Sequence, residues 1–338
     1  MEIRSFSDSI KKTLAATLIA ATALSFGSCD RIHEDLQPCP QGLKLRFIYE
    51  YNMEDANAFK QVDCLTVLFY DSEGNYVKTQ TNTNTEELKD ENWRMTVDLE
   101  PGNYTVIAYG GMECAESSFS FTNPPSTIKM DQIQVELDPD CLTNPDRRHL
   151  HDLFYGNLEV SVEETDTEYR ECTVEMMKDT NNLRVMMQQV DGTQINEADF
   201  EFKVTDDNTL MNWDNEVIST RNVEYMSWIS GNASPGQLPS GNDASVAYAE
   251  MSFPRLVTYN SPKLKITRKA DGHNVVDIAL IPYLMLLKSE ANHMEPQEFL
   301  DRRSSWELFF FLQGGTWLYL DIVVDDWTVR INNTSFGL

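Results

Sequence analysis

The sequence predicts an all-β chain made of antiparallel β-sandwiches. Three observations carry this. Between Gly42 and Met177, about seven to nine short stretches alternate apolar and polar residues or run apolar, and turn signals recur every 8–12 residues or so. No convincing amphipathic helical period interrupts them. A second series of strands then follows the polar stretch Asp179-Thr180-Asn181-Asn182, which reads as a domain boundary.

In chain order, Pro38-Cys39-Pro40 closes a polar N-terminal segment, because proline neither donates to a ladder nor continues a helix. From Gly42 to Tyr51, Leu43, Leu45, Phe47 and Tyr49 share one face, with Lys44, Arg46 and Glu50 mostly on the other, as in a half-buried strand. A short helical turn is expected over Ala56–Val62. Val62 to Tyr70 is more continuously apolar, as in a central strand. Asp71-Ser72-Glu73-Gly74-Asn75 is a turn, and Tyr76 to Thr81 pairs back. After the polar stretch Asn82–Asn92, the residues Trp93, Met95, Val97 and Leu99 alternate again. Glu100-Pro101-Gly102-Asn103 is a turn, since proline presets φ and glycine supplies positive φ, and Tyr104 to Tyr109 returns. Ser117–Phe121 and Ile133–Leu137 are two more strands, the proline-containing segment Asp138–Arg148 is a loop, and Leu158–Glu163 with Tyr169–Met177 is expected as a hairpin.

The second series comprises Leu183–Val190, Phe200–Thr205, Val246–Leu256, Leu264–Arg268 and Val275–Ile281, with Asp271-Gly272 as a hairpin turn. The interval Asp206–Asp243 is read as long, polar and irregular, with Trp213, Tyr225 and Trp228 inside it. Pro296–Arg303 is a short turn or helix. Trp306–Leu312 and Trp317–Val324 form a hairpin about Gln313-Gly314-Gly315-Thr316, because consecutive glycines accept positive φ twice. Asp325–Ile331 is the last strand, with seven residues after it. No repeat of solenoid period is visible.

The first thirty residues differ from the rest. A basic segment with Arg4, Lys11 and Lys12 precedes the apolar run Leu14–Leu24. The small residues Gly27-Ser28 and then Cys29-Asp30 follow. A basic n-region, an apolar core and small residues before a cut are the parts of an export leader. The run is too short to span a bilayer, which needs about 20 apolar residues, and it lacks the polar face of a surface helix. With cysteine directly after the small residues, the stretch resembles a bacterial lipoprotein signal, with Phe26 standing where that family usually has an aliphatic residue. The resemblance implies cleavage before Cys29, a diacylglycerol thioether on its sulfur and acylation of the new N-terminus. Two or more acyl chains hold a protein stably on a membrane, whereas one is marginal. Asp30–Asp35 is acidic and reads as part of a tether, and it resembles a signal for export to the outer face.

The chain has 338 residues, an apolar fraction of 41% and a formal charge of −27. Arg4, Lys11 and Lys12 against Glu2 and Asp8 leave the leader at +1 and the remainder at −28. So negative a surface repels phosphate backbones and argues against nucleic-acid partners, while keeping an exported protein soluble. Of the six cysteines, Cys29 is assigned to lipid. The remaining Cys39, Cys64, Cys114, Cys141 and Cys172 allow at most two disulfides in an oxidising compartment. Cys64, inside an apolar strand, is read as a buried core thiol, and Cys39 as the candidate for pinning the tether.

Catalytic motifs are absent: there is no nucleophile elbow, phosphate loop, dinucleotide fingerprint or zincin helix. His149-Leu150-His151, near Asp146 and Asp152, lacks an obvious third metal ligand, and no cysteine pair has zinc spacing. Asp138 and Asp140 lack the glycine and terminal glutamate of a calcium loop. Glu163-Glu164 and Asp325-Asp326 are unremarkable in so acidic a chain. Trp93, Trp306 and Trp317 are expected in cores, and Trp213 and Trp228 are the candidates for a sugar-stacking surface. No catalytic, cofactor or metal residue is assigned, and the one site residue is Cys29.

Several stretches together resemble the FimB-like (Mfa-type) anchor family of type V fimbriae. They are Cys29-Asp30, Leu45–Met53, Val62–Val67, Leu99–Tyr104, Ala108–Gly111, Leu153–Gly156, Gln297–Arg302 and Asp326–Arg330, in the family's order along almost the whole mature chain. The resemblance implies two transthyretin-like β-sandwich domains, expected at 41–179 and 180–338 after a leader at 1–28 and a tether at 29–40. It implies a non-enzymatic outer-membrane lipoprotein that holds a fimbrium and limits its length. Shaft subunits would be its partners by donor-strand exchange, in which an added strand supplies backbone hydrogen bonds and its alternate side chains supply register. An acceptor groove is expected near Gly42–Asn52, and the short tail after Ile331 is read as too short for a donor strand. A fimbrial tip adhesin and a surface glycan-binding lipoprotein are the alternatives.

Overall fold

The computed structural model describes residues 41–333 apart from 54–60, 165–167, 235, 238–240, 242, 289–292 and 325–326. The leader, the tether, Cys29, Cys39, most of the Ala56–Val62 turn and Asp325-Asp326 lie outside the described residues. Among the described residues twenty-one strands and a few short helices follow one another, and the chain is all-β.

The first ten strands are β1 (Gly42–Ile48), β2 (Leu65–Asp71), β3 (Tyr76–Asn82), β4 (Met95–Asp98), β5 (Gly102–Gly110), β6 (Phe119–Phe121), β7 (Gln134–Leu137), β8 (Phe154–Val162), β9 (Arg170–Glu175) and β10 (Met177–Lys178). They build a three-stranded sheet β4-β1-β9 and a five-stranded sheet β10-β8-β5-β2-β3. The first core lies between these sheets, where Leu43, Leu45 and Phe47 of β1 meet Leu65, Val67 and Phe69 of β2. The other face of β2, with Leu68 and Tyr70, joins a second and larger core, as do Ile107 and Tyr109 of β5. A strand buried on both faces needs a continuous apolar run, which is why Leu65–Tyr70 does not alternate.

The remaining strands are β11 (Thr180–Gln189), β12 (Phe200–Asp206), β13 (Leu210–Asn212), β14 (Val223–Met226), β15 (Ile229–Ala233), β16 (Val246–Pro254), β17 (Lys263–Arg268), β18 (His273–Ala279), β19 (Ser305–Gln313), β20 (Thr316–Val324) and β21 (Trp327–Asn332). A six-stranded sheet, β15-β16-β11-β19-β20-β21, packs on a four-stranded sheet, β14-β12-β17-β18. Leu183, Val185, Leu308 and Phe310 meet Phe202, Val204, Leu264 and Ile266 in the larger core. A small sheet, β13-β7-β6, ties the two halves of the chain together.

Two expected hairpins are corrected. Tyr104–Tyr109 does not pair back on Met95–Leu99: β4 pairs with β1 and β5 with β2 and β8, so Glu100–Asn103 carries the chain from one sheet to the other. Leu158–Glu163 and Tyr169–Met177 likewise part, β8 joining β5 and β9 running parallel to β1. Local turn signals cannot distinguish a hairpin from an inter-sheet corner, and at this one Gly102 does not take the positive φ that its turn composition suggests. A second parallel pair joins β11 to β19, so the sheets are antiparallel with two exceptions among the described pairings. Each exception joins strands far apart in sequence, as the long crossover of a parallel pair requires. The expected hairpins at Asp271-Gly272 and Gly314-Gly315 are present, with φ of 69° at Gly272 and of 62° and 87° at the glycine pair. The interval Asp206–Asp243 is less irregular than expected, since it contains β13, β14 and β15, strands too short and polar to show a period.

Cys64 is not a thiol. It is joined to Cys114, 50 residues on, with Cα atoms 6.1 Å apart, while Cys141 and Cys172 are free. The strand-to-loop corner at Gly110-Gly111 brings the two sulfurs together: Gly111 N donates to Cys64 O at 2.9 Å. Gly111 has a φ of 82°, and a Cβ there would lie 1.9 Å from Asp152 O. Gly111→Ala is therefore expected to cost at least roughly 2 kcal/mol, the sum of left-handed strain and a backbone clash. Denaturant unfolding measures it, and an unchanged midpoint would contradict the geometry.

Candidate functional site

Three stretches that carry the family resemblance converge where the two halves of the chain meet. The helix Pro296–Arg302 starts with proline, whose fixed φ suits a first turn, and buries Phe299 against Trp306. Its end docks on the first half of the chain: Arg302 O accepts from Met53 N at 2.9 Å, and the Arg302 guanidinium lies 4.0 Å from the Tyr51 ring centre. Glu298 holds Arg302 from one turn back at 2.8 Å.

Behind this contact lies a buried polar network. Arg255, at the end of β16, forms a two-pronged ion pair with Asp301: Nε to Oδ1 at 2.8 Å and Nη2 to Oδ2 at 2.9 Å. Its Nη1 donates to Asn215 O. Gln297 Nε2 donates to Asp301 Oδ1 at 2.9 Å and to Leu256 O at 3.0 Å. Asn215, a non-glycine residue at φ 67°, donates through Nδ2 to Asp179 Oδ1 at 2.8 Å. Asp179 N in turn donates to Leu153 O at 2.7 Å. The residue read from sequence as the start of a polar boundary is therefore fully buried, and among the described residues its Oδ2 has no hydrogen-bond partner. Burial pushes the Asp179 carboxyl up to about 7, against the pull of Arg255 and the Asn215 hydrogen bond. A cavity of about 340 Å³ opens beside the network, lined by Tyr51, Tyr155, Asn157, Asp214, Asn215 and Arg255 among others.

A second polar cluster lies next to the first, at the start of β8. Asp152 accepts from Lys178 Nζ at 2.7 Å and from Thr180 Oγ1 at 2.8 Å, linking the strand on each side of Asp179 to the β8 approach. His151 Nε2 lies 3.0 Å from Asp63 Oδ2. His149 stacks edge-on against Trp228 with ring centres 4.4 Å apart, so the two imidazoles of His149-Leu150-His151 serve different neighbours. Asp138 is taken up by Arg147 at 2.7 Å, and a hydrogen bond from Asp140 N holds its carboxyl below the usual range. Trp213 and Trp228 are both part-buried, and Trp213 packs on the larger core. Trp306 and Trp317 are core residues as expected, and Trp93 is part-buried against the first core, 6.3 Å from Phe47.

Sequence reading named the helix motif but missed its partner. Arg255 follows Pro254 at the end of an apolar strand, and a lone arginine there reads as a strand end. The detectable signal was Asp301, four residues after Gln297 and hence on the same helix face.

The chain is an all-β protein whose two halves meet at a buried ion-pair network. The family model for the fimbrillin-A associated anchor proteins Mfa1 and Mfa2 matches residues 36–333, and the chain belongs to that family. It is 49% identical to a Bacteroides thetaiotaomicron protein provisionally described as an adhesin, with a TM-score of 0.81 over 88% of this chain and 100% of the other. A second protein of that organism, provisionally described as polysaccharide-binding, is 27% identical with a TM-score of 0.72 over 86% of this chain and 98% of that one. The fimbrial anchor protein Mfa2 from Porphyromonas gingivalis shares the fold at 15% identity, with a TM-score of 0.63 over 86% of this chain and 99% of that one. No curated protein matches by sequence. The family is one of fimbrial structural proteins, which associates the chain with the cell-surface fimbrium and its components. No helix among the described residues is long and apolar enough to cross a membrane.

Proposed function

We propose that this chain is a lipoprotein, acylated at Cys29, that anchors a type V fimbrium to the outer membrane and limits its length. It acts as a non-enzymatic acceptor for the strand of a shaft subunit. One observation carries the reading: a cysteine-ending export leader stands just ahead of the region that matches the fimbrial anchor family from residue 36. Membrane attachment and fimbrial fold are thus adjacent on one chain.

The division into sandwiches at 41–179 and 180–338 belongs to the same proposal. Strands β1 and β11, the first of each half, both sit inside a sheet between one antiparallel and one parallel neighbour, which supports two related domains. The acceptor would be the three-stranded sheet. Its outer strands β4 and β9 each have β1 as their one neighbour in the sheet among the described strands, and strand addition at such an edge is what would complete it. At the other end, β21 is already paired with β20 from Trp327 to Asn332, which supports a chain that receives a strand and does not lend this one. The glycan-binding alternative places Trp213 and Trp228 in the binding surface, and both are part-buried.

The test replaces Cys29 with Ala in cells whose own copy is deleted. The altered chain and its fimbriae are both expected in the medium, still bound to each other. Shaft subunits lacking their C-terminal strand are expected not to co-purify with either form. Fimbriae that stay on the Cys29→Ala cells would overturn the anchor, and retention of strandless subunits would overturn the acceptor.

A further inference from the structure

We propose that the Cys64–Cys114 pair is a metal site held shut by oxidation. When the disulfide is reduced, its two sulfurs and His151 Nδ1 bind one borderline-soft divalent cation of the Zn²⁺ type, with Asp63 as the carboxylate behind the histidine.

Part of the geometry is already in place, on the Cys114 side. His151 Nδ1 lies 3.9 Å from Cys114 Sγ, and Nε2 lies 3.0 Å from Asp63 Oδ2. One ligand atom from each of Asp63, Cys114 and His151 falls within 4.8 Å of the others. The backbone holds the ring's position, since His151 N donates to Ser118 Oγ at 2.8 Å and Ser118 is buried. In the neutral imidazole, a carboxylate acceptor keeps the proton on Nε2 and leaves a lone pair on Nδ1. That lone pair faces a disulfide sulfur, which has no proton to give. A metal-binding histidine characteristically donates its other ring N–H to a carboxylate, which fixes the tautomer and raises the basicity of the ligating nitrogen. Asp63 stands in that position.

Dimensions agree. Zinc bonds of about 2.3 Å to sulfur and 2.0–2.1 Å to nitrogen put S and N of one tetrahedral site roughly 3.5 Å apart, a few tenths of an ångström inside the present separation. Two thiolates and one imidazole make three protein ligands and leave the fourth position to water. A cavity of about 300 Å³, lined by Glu116, Ser118, His149, His151 and Asp152, opens on the histidine side of the site. On the Cys64 side the backbone is held independently of the S–S bond by the Gly111–Cys64 hydrogen bond and the β2–β5 register, and Ser117 N donates to Cys114 O at 3.2 Å. Spacing rules for zinc ligands could not find this set, because 50 residues separate the cysteines.

The chemistry balances with a trialkylphosphine as reductant. Phosphorus gives two electrons to the S–S bond and takes the oxygen of one water molecule to become the phosphine oxide. The two protons of that water end on the sulfurs, and the cation displaces them on binding. Oxidation and metal thus compete for the same two sulfurs, and either one ties the β2 start to the loop after β5.

The test uses the whole mature chain, reduced with the phosphine under inert gas and titrated with Co²⁺ as the optical probe, then with Zn²⁺. The reduced chain is expected to bind one Co²⁺ with tetrahedral visible bands and sulfur-to-cobalt charge transfer, which Zn²⁺ abolishes. The oxidised chain shows neither. Cys114→Ser and His151→Ala lose at least 100-fold in affinity, and Asp63→Asn loses about 10–100-fold, the usual effect of a carboxylate behind a ligand. A Cys141→Ser, Cys172→Ser chain binds as the wild type does. Reduction that unfolds the chain supports the site if Zn²⁺ restores the fold and overturns it if Zn²⁺ does not. No binding to a folded, reduced chain, or equal binding by His151→Ala, also overturns it.

Discussion

Arg255→Ala is expected to lower the stability of the folded chain by about 3–5 kcal/mol, the usual result of removing one member of a buried ion pair. The cause is what remains. Asp301, with 7% of its side chain exposed, loses both bonds to the guanidinium and keeps the Gln297 hydrogen bond. Asp179, fully buried, loses the one cation among the groups shifting its carboxyl. Asn215 keeps a left-handed φ of 67° while its carbonyl loses the guanidinium. Because the helix Pro296–Arg302 carries Asp301 and touches Met53 and Tyr51, loosening should reach the first half of the chain. Protease cleavage near Met53 should quicken along with the fall in melting temperature. The double change Arg255→Met, Asp301→Leu removes both charges and should recover much of the loss, since a buried pair is often replaceable by apolar groups of similar volume. A melting temperature for Arg255→Ala within 2 °C or so of wild type, where roughly 2–4 °C per kcal/mol is usual for large domains, would show that the pair carries no load.

Most strands were legible because burial on one face writes itself as period two. Gly42–Tyr51 is the clearest case: Leu43, Leu45 and Phe47 are buried while Lys44 and Arg46 are exposed. The continuous run ending at Tyr70 was legible as a central strand for the opposite reason, a core on each face. Pairing partners were less legible. The Glu100–Asn103 turn and the interval between β8 and β9 both carry hairpin composition, yet each is a passage between sheets. What decides is which apolar face must meet which, a fact set by residues far away such as β1. The two parallel pairings were invisible for the same reason.

The site was legible only in outline. Gln297–Arg302 and Leu45–Met53 stood out as motifs, and they meet in space at Arg302, Tyr51 and Met53. Asp179 was misjudged, since a run of Asp, Thr and two Asn looks like a solvated linker. Its burial follows from the Asn215 amide and the Arg255 charge, neither of which is near it in sequence. Cys64 was misread on the same logic: an apolar strand suggests an inert thiol, while the partner sulfur arrives after a 50-residue excursion. Lone polar residues in apolar contexts therefore carry more information here than acidic runs do.

The burial of Asp179 makes stability depend on pH in a direction opposite to that of most carboxylates. Its carboxyl titrates at about 7 in the folded chain, against an ordinary value of 3.8. A group whose folded value is raised contributes stability that is fully present below the unfolded value and is lost as pH rises through the folded one. Between about pH 4 and 7 the folded chain binds the extra proton, so this term falls across that window. Asp206, raised to about 6 by burial, acts in the same sense. Asp71, Asp138 and Asp191 are lowered by hydrogen bonds, and Asp271 is lowered to about 2 by its Arg268 bond, so their contributions fade instead on the acid side. The comparison that isolates Asp179 is wild type against Asp179→Asn, whose side-chain carbonyl can still accept from Asn215 Nδ2. The Asn chain should be close to wild type at pH 4 and gain on it steadily to pH 8, by up to about 4 kcal/mol if the whole shift is expressed. It also predicts how the Arg255→Met, Asp301→Leu chain behaves: recovered near pH 5, where Asp179 is protonated, and weakened at pH 8, where a buried carboxylate stands without its cation. Parallel stability curves for wild type and Asp179→Asn across pH 4–8 would mean that the carboxyl at this junction is ionised throughout, and that water or a cation reaches its second oxygen.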